Sequence, residues 1–153
     1  MNAEYSLNIR SMRLSDIERV LEIEKKSFSR PWNHVKIRDC LEAKYSCKVA
    51  EKSGKVLGYG IMKKLCSNDA EILNCAVEGS YQRMGLGKKL VNHLLSCVNP
   101  AGRGFVFLEV RESNNTAINM YENLKFIQIG RRKNYYFHSP DKREDAIIMR
   151  KEI

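Results

Sequence analysis

The most informative stretch of the chain is residues 70–88, which read AEILNCAVEGSYQRMGLGK. Its first part, Ala70–Val77, is an apolar run of strand length. A short turn and the pattern Gln-x-x-Gly-x-Gly follow, and then a segment with leucines at helical spacing, so a strand is predicted to lead into a helix. Such a junction presents backbone N–H groups and the positive end of the helix dipole, which favour an anion. On its own, the Gly-x-Gly pair favours a simpler interpretation, a tight turn.

Three strand patterns and two helix patterns lie upstream of this junction. Strands are predicted over Leu7–Met12, Tyr45–Glu51 and Val56–Leu65, and the last two are joined by a hairpin turn with a glycine. Two helices are predicted between the first two strands. The first begins at a Ser15-x-x-Glu18 capping box, and the second is capped by Asn33.

Three further strand patterns and one further helix pattern lie downstream of the predicted helical segment, residues 86–95. Strands are predicted over Gly104–Val110, Phe126–Gly130 and Asp145–Arg150, with a helix over Asn115–Leu124 and a polar loop over His138–Glu144. No repeat or linker interrupts the pattern. One mixed α/β domain, residues 1–153, is therefore predicted.

Composition narrows the class of protein. The 153 residues are 43% hydrophobic and 29% charged, which is close to average globular usage. No apolar run approaches the roughly 18 residues of a membrane span, and the first ten residues lack the pattern of a secretory signal. We therefore expect a cytoplasmic protein with no membrane partner.

Cysteines and charge give two further expectations. The five cysteines form no Cys-x-x-Cys pair and the three histidines lie far apart, so neither a disulfide framework nor a metal site is predicted. The net charge of +9 favours anionic partners, such as cofactor phosphates, an acidic protein or nucleic acid. Because the basic residues are scattered and no nucleic-acid-binding module accompanies them, we expect no requirement for direct nucleic-acid binding.

The glycine pattern, together with the basic residues Arg83 and Lys88, resembles the pyrophosphate loop of the GNAT superfamily of N-acetyltransferases, which hold coenzyme A in this way. A nucleotide-hydrolase loop would end in Gly-Lys-Ser or Gly-Lys-Thr, and a dinucleotide loop would read Gly-x-Gly-x-x-Gly. The chain has neither pattern. The resemblance implies a central, mostly antiparallel sheet flanked by helices, with acetyl-CoA as co-substrate and no metal.

Other blocks of sequence make the resemblance more specific, from the superfamily to one family within it. Residues 107–121, FLEVRESNNTAINMY, end a strand with a carboxylate and continue into a helix with a tyrosine. With FSRPW at 28–32, KNYY at 133–136 and REDAIIM at 143–149, they resemble the bacterial ribosomal-protein-alanine N-acetyltransferases over nearly the whole chain. The resemblance implies acetylation of the N-terminal alanine of the small-subunit ribosomal protein numbered eighteen.

The resemblance also implies a role for individual residues. Glu109 takes the place of the general base and Tyr121 that of the general acid. Asn114 would contact the cofactor, and Tyr135 and Tyr136 would line the groove for the first residues of the substrate. The acetyl and pantetheine portion of the cofactor would contact Cys75, Ala76 and Val77. The pyrophosphate would contact the residues of the glycine pattern: Arg83, Met84, Gly85, Leu86, Gly87 and Lys88.

Each role has a structural alternative. As a base, Glu109 would need only modest strength, because an N-terminal amine with a pKa of about 7.7–8.0 is already roughly a tenth neutral at pH 7. The alternative for Glu109 is a salt bridge to Arg111 or another cation. Tyr121 could pack in the core, Asn114 could cap a helix, and the tyrosine pair could serve packing. Backbone amides of Cys75–Val77 could polarise the thioester if their strand splays or bulges.

Two positions of the sequence depart from the family pattern. Lys125 stands where the family usually has glycine, which implies a helix end that does not depend on positive φ. Cys75 occupies a position that is often aliphatic.

Two other functions remain open. One alternative function is an acetyltransferase acting on lysine side chains or a small-molecule amine. The other is a non-catalytic basic module that binds ribosomes or RNA, although retention of both glycines, Glu109 and Tyr121 favours an enzyme.

Overall fold

A computed structural model describes residues 6–66, 68–98 and 103–153 of the chain. Within these ranges there are seven strands and four α-helices. The strands are β1 (Asn8–Ser11), β2 (Ser46–Lys52), β3 (Lys55–Lys64), β4 (Ala70–Val77), β5 (Phe105–Arg111), β6 (Ile127–Ser139) and β7 (Lys142–Glu152). The helices are α1 (Ile17–Ser27), α2 (His34–Glu42), α3 (Leu86–Ser96) and α4 (Asn115–Asn123).

The strands form one sheet in the order β1-β2-β3-β4-β5-β7-β6. Strand β4 pairs with β5 in parallel, whereas β1/β2, β2/β3, β5/β7 and β6/β7 are antiparallel. The mostly antiparallel sheet that the resemblance implies is therefore confirmed, and the sheet is mixed because β4 and β5 are parallel. By its contacts the chain divides into two compact units, Met1–Lys63 with Asn74–Cys97, and Lys64–Leu73 with Val98–Ile153. The single domain over residues 1–153 stays a prediction.

In the first unit, α3 packs closely on β3. A Cβ on Gly60 would lie 2.8 Å from Leu94 Cδ1, and one on Gly58 would lie 3.0 Å from Leu90 Cδ1. Both leucines are fully buried. Because a side chain at either glycine would push the helix away, the two glycines permit this packing.

The start of α1 differs from the prediction. Ser15 lies inside a 3-10 turn, Leu14–Asp16, and the predicted Ser15–Glu18 capping box is wrong. Asp16 occupies the N-cap position of α1, and its carboxylate accepts a hydrogen bond from the backbone N–H of Arg13 (2.8 Å). The cap of α2 is as predicted, since the Asn33 side chain accepts from the N–H of Lys36 (2.9 Å).

In the second unit, β5 alternates between buried and half-buried residues, with Val106, Leu108 and Val110 in the core. Strands β6 and β7 form a long hairpin, and the pairing of Ser139 with Lys142 leaves only a tight turn between them. The predicted loop over His138–Glu144 is therefore wrong. Strand β6 is largely exposed and is therefore rich in polar residues, a composition that is also typical of loops.

The end of α4 also corrects an expectation. Lys125 has a φ of 72°, so the helix does end through the left-handed conformation that glycine normally supplies. The N–H of Phe126 donates to the carbonyl of Tyr121 (3.0 Å), and that of Lys125 donates to the carbonyl of Glu122 (2.9 Å). These two bonds form a Schellman motif, and a lysine is held in it at a cost of about 1–2 kcal/mol.

Candidate active site

The predicted acetyl and pantetheine segment lies in the C-terminal half of β4, in the first unit. The parallel ladder between β4 and β5 covers Ala70–Ile72, and β4 continues beyond it to Val77. The N–H of Cys75 donates to the Asn74 side-chain oxygen (3.0 Å). Burial raises the pKa of the Cys75 thiol to about 12, so this cysteine stays protonated and acts as a small apolar residue.

The turn after β4 is held by contacts with other residues of the first unit. The N–H of Glu78 donates to the carbonyl of Leu57 (2.8 Å), and the Glu78 carboxylate pairs with Arg19 (2.9 Å). The Gln82 side chain then donates to the carbonyl of Val77 (3.1 Å), so it closes the turn onto the strand that precedes it. The glutamine of the Gln-x-x-Gly-x-Gly pattern therefore has a structural reason to be there.

The predicted pyrophosphate loop has the geometry of an anion site. Gly85 is the N-cap of α3 with a φ of 79° and no side-chain cap, and Arg83 also has a positive φ of 65°. Arg83, Met84, Gly85 and Lys88 are exposed. A helix start that lacks a capping side chain leaves N–H groups for a ligand, so the residues present fit a pyrophosphate.

The predicted general base belongs to the second unit and is engaged in an ion pair. Glu109 lies on β5 between the buried residues Leu108 and Val110, and its side chain is 23% exposed. Its Oε1 accepts a hydrogen bond from Arg132 on β6 (2.9 Å). The salt-bridge alternative is thus realised, with Arg132 as the cation instead of Arg111. This ion pair fixes the orientation of the Glu109 carboxylate through Oε1. Its second oxygen, Oε2, is the atom that could accept a proton.

The predicted substrate tyrosines adjoin this ion pair within the same unit. The Arg132 guanidinium carbon lies 3.9 Å from the ring centroid of Tyr135, and that of Arg111 lies 4.5 Å from the centroid of Tyr136. The two tyrosine rings meet edge to face at 5.0 Å. Burial, with the nearby charge of Glu109, raises the pKa of Tyr136 to about 12. Packing holds these rings, and Tyr135 remains 42% exposed.

Tyr121 and Asn114 occupy α4 and its start. Tyr121 is 7% exposed, and its ring meets that of Phe126 edge to face at 5.6 Å. Asn114 caps α4, since its side-chain oxygen accepts from the N–H of Ala117 (3.2 Å). The structural alternatives for both residues are therefore realised. A core position for the Tyr121 ring is compatible with a working hydroxyl, and a cap is compatible with a cofactor contact.

The sequence reasoning missed Glu24, a buried carboxylate on α1. Its side chain accepts hydrogen bonds from Tyr59, from Asn74 and from the backbone N–H of Trp32. The sequence does contain a signal for it. Glu24 lies at helical spacing from Ile17 and Val20, on the apolar face of the helix, where a charged residue is unusual.

The residues that the structure describes contain neither a metal-binding group nor a helix that could span a membrane. Within the described ranges, no three His, Cys, Asp or Glu side chains cluster as a metal site would require. None of the helices in the same ranges is long and apolar enough to cross a membrane.

The chain belongs to the acetyltransferase (GNAT) family, whose sequence model matches residues 17–126. It is therefore an acetyl-CoA-dependent N-acetyltransferase with the GNAT fold. Among its relatives is the ribosomal protein bS18-alanine N-acetyltransferase of Escherichia coli K12. The two are 35% identical over 141 residues, which cover 92% of this chain and 94% of that protein.

Two solved structures show the same similarity in three dimensions. The crystal structure of the ribosomal-protein-S18-alanine N-acetyltransferase from Escherichia coli superposes with a TM-score of 0.85 at 33% identity, covering 97% of this chain and 94% of that one. The crystal structure of Ard1 from Thermoplasma volcanium superposes with a TM-score of 0.86 at 30% identity, covering 96% and 97%.

Proposed function

We propose that this protein transfers the acetyl group of acetyl-CoA to the N-terminal alanine of the small-subunit ribosomal protein numbered eighteen. The observation that carries the proposal is the identity of 35% over 92% of the chain to an enzyme named for that reaction. The transfer is direct, in a ternary complex, without a covalent enzyme intermediate. A ribosomal substrate agrees with the cytoplasmic location expected from the sequence.

In this proposal the start of α3 binds the pyrophosphate of acetyl-CoA. The backbone N–H groups after the left-handed Gly85 donate to it, and Arg83 and Lys88 add positive charge. The backbone of Cys75–Val77 holds the acetyl and pantetheine portion, and Asn114 adds a contact. Acetyl-CoA supplies the activated acyl group, and binding it in a fixed place removes part of the entropic barrier to transfer.

Glu109 acts as the general base and Tyr121 as the general acid. Since Arg132 holds Oε1 of Glu109, we assign the proton of the attacking amine to Oε2, directly or through one water. The hydroxyl of Tyr121 gives its proton to the sulfur of the departing thiolate. Tyr135 and Tyr136 line the groove for the first residues of the acceptor.

The test is a competition between two acceptors. A peptide with the free alanine N-terminus of the ribosomal protein and an N-blocked peptide with an internal lysine are mixed at equal concentration with enzyme and acetyl-CoA. We expect acetylation of the α-amine to dominate, because about a tenth of it is neutral at pH 7 while a lysine, with a pKa near 10.4, is almost wholly charged. Mass spectrometry of both peptides measures the ratio.

One control variant makes the result decisive. Glu109→Gln should retain acetyl-CoA binding but lower kcat/KM for the alanine peptide by about a hundredfold, as expected for loss of a positioned base. Preferential acetylation of lysine would reject the N-terminal acceptor and leave an acetyltransferase of other specificity. A Glu109→Gln enzyme with full activity would reject the role of that residue.

A further inference from the structure

Glu24 is a buried carboxylate that has no cationic partner among the residues the structure describes. It is 1% exposed, and Asp16 is the other charged residue in these ranges that is buried. Asp16 is neutralised by Arg10, whose guanidinium donates two hydrogen bonds to it, at 2.7 and 2.9 Å. Burying a carboxylate without a cation is costly. A group that is buried in this way is a candidate for a functional role.

The carboxylate of Glu24 joins three parts of the first unit. Its Oε1 accepts from the backbone N–H of Trp32, in the turn between α1 and α2, at 2.9 Å. Its Oε2 accepts from the side-chain Nδ2 of Asn74 on β4 at 2.8 Å, and from the hydroxyl of Tyr59 on β3. Burial raises the pKa of Glu24, while the bonds from Trp32 and Asn74 oppose that rise.

An ionised carboxylate only accepts hydrogen bonds, so it determines which way the Asn74 amide faces. With Nδ2 donating to Glu24, Oδ1 points the other way and accepts from the N–H of Cys75 at 3.0 Å. A flipped amide would present its NH₂ group to that N–H, and the bond would be lost. The hydrogen bond from Asn74 to Glu24 thus determines, through one side chain, the contact that the backbone N–H of Cys75 makes on β4.

We propose that Glu24 is a positioning residue for acetyl transfer, which sets the backbone of β4 at Cys75 by fixing the orientation of the Asn74 amide. Cys75 begins the segment that holds the acetyl and pantetheine portion, so the inference rests on the proposed function. The same carboxylate holds the turn at Trp32.

Glu24→Gln is the direct test, because it keeps the size of the side chain and adds a donor that can turn toward Asn74. Asn74→Ala removes the transmitting side chain. Glu22→Gln is the matched control, since Glu22 lies on the same helix, is largely exposed and pairs only with Arg19 in the described structure. Each variant is measured for acetyl-CoA affinity by calorimetry, for kcat and KM with the alanine peptide, and for melting temperature.

We expect Glu24→Gln and Asn74→Ala each to lower kcat on the order of tenfold to a hundredfold, as small misplacements of reacting groups do. Glu22→Gln should stay within about twofold of the original enzyme, since an exposed ion pair contributes little. Because both residues act through one chain of bonds, the double variant should be no slower than the slower single variant.

Either of two results would overturn the inference. One is unchanged kcat in both single variants with only a lower melting temperature, which is what a purely structural role predicts. The other is multiplication of the two effects in the double variant. If Glu24→Gln does not fold, Asn74→Ala decides alone, and full kcat in that variant rejects the inference. An unsubstituted enzyme that neither binds acetyl-CoA nor acetylates any amine would instead refute the proposed function.

Discussion

Arg132 contacts two residues of the proposed site at once. Its guanidinium donates to Glu109 Oε1 at 2.9 Å and stacks on the ring of Tyr135 at 3.9 Å from the centroid. Arg131, the preceding residue on β6, pairs instead with Glu112 and Asp145. Both adjacent arginines thus form ion pairs at the surface, but only Arg132 pairs with the proposed base.

We therefore predict different kinetics for variants of the two arginines. Arg132→Gln should lower kcat/KM with the alanine peptide by about two- to fivefold, a modest effect because the pair is partly exposed and screened by solvent. Arg131→Gln should leave kcat/KM unchanged. Arg132→Lys should fall between Arg132→Gln and the original enzyme, since it keeps the charge without the planar stacking. Equal losses in the Arg131 and Arg132 variants would argue for a general effect of surface charge.

Sequence reasoning could find the site residues that lie in continuous motifs and could not find their partners. Glu109 and its salt-bridge alternative follow from the sequence, but the choice of Arg132 over Arg111 depends on the register of β6. That register shifts between Arg132 and Tyr136, where Asn134 adopts a positive φ of 53°. An irregularity of this kind leaves no periodic signal in the sequence.

At the scale of elements, the start of α3 concentrates the features expected of an anion site. The exposed Arg83 contributes a charge, whereas Gly85 contributes a backbone conformation that aims N–H groups. Space is not the constraint, because a Cβ on Gly85 would meet nothing within 4 Å, but its φ of 79° is one that L side chains rarely adopt.

We predict that Gly85→Val weakens binding of acetyl-CoA more than Arg83→Ala does. The valine must either strain the backbone, at a cost of about 1–2 kcal/mol, or move the N–H groups. Loss of one exposed charge is largely screened. Calorimetric titration measures both affinities, and Gly79→Ala is the control, since Gly79 lies in the same loop without a positive φ. Equal affinity of the Gly85 variant and the control would remove the basis for a backbone site.

The element boundaries show where sequence patterns are informative. Strand β4 was predicted with its observed bounds, because an apolar run flanked by turns is distinctive. The sequence predicts strands over Phe126–Gly130 and Asp145–Arg150, both shorter than β6 and β7, since a largely exposed strand such as β6 has no buried face to reveal its period. At Lys125, the chain adopts a positive φ against local preference because the Schellman bonds and the contact of Phe126 with Tyr121 require it.

For the molecule as a whole, two buried carboxyls on the first unit respond to pH in opposite ways. Hydrogen bonds from Arg10 lower the pKa of Asp16 below its ordinary value of 3.8. Stability from this pair is present above pH 3.8 and is lost as pH falls through the folded pKa. Burial raises the pKa of Glu24 above its ordinary 4.5. The native state then binds the Glu24 proton more tightly than the unfolded state does, so stability is lost as pH rises through the raised pKa.

We predict, accordingly, that Glu24→Gln and Asp16→Asn change the pH dependence of unfolding with opposite signs. Urea unfolding from pH 3 to pH 8 gives the free energy of unfolding for each variant and for the original protein. The free energy of Glu24→Gln relative to the original should rise as pH increases above about 4.5, because glutamine has no proton to lose. That of Asp16→Asn should fall as pH increases through the range below about 4, because only the original gains the charged pair with Arg10. Lost hydrogen bonds add a constant to each difference and leave its slope unchanged. A Glu24→Gln difference that is flat with pH would show that Glu24 does not bind its proton more tightly in the native state than in the unfolded one.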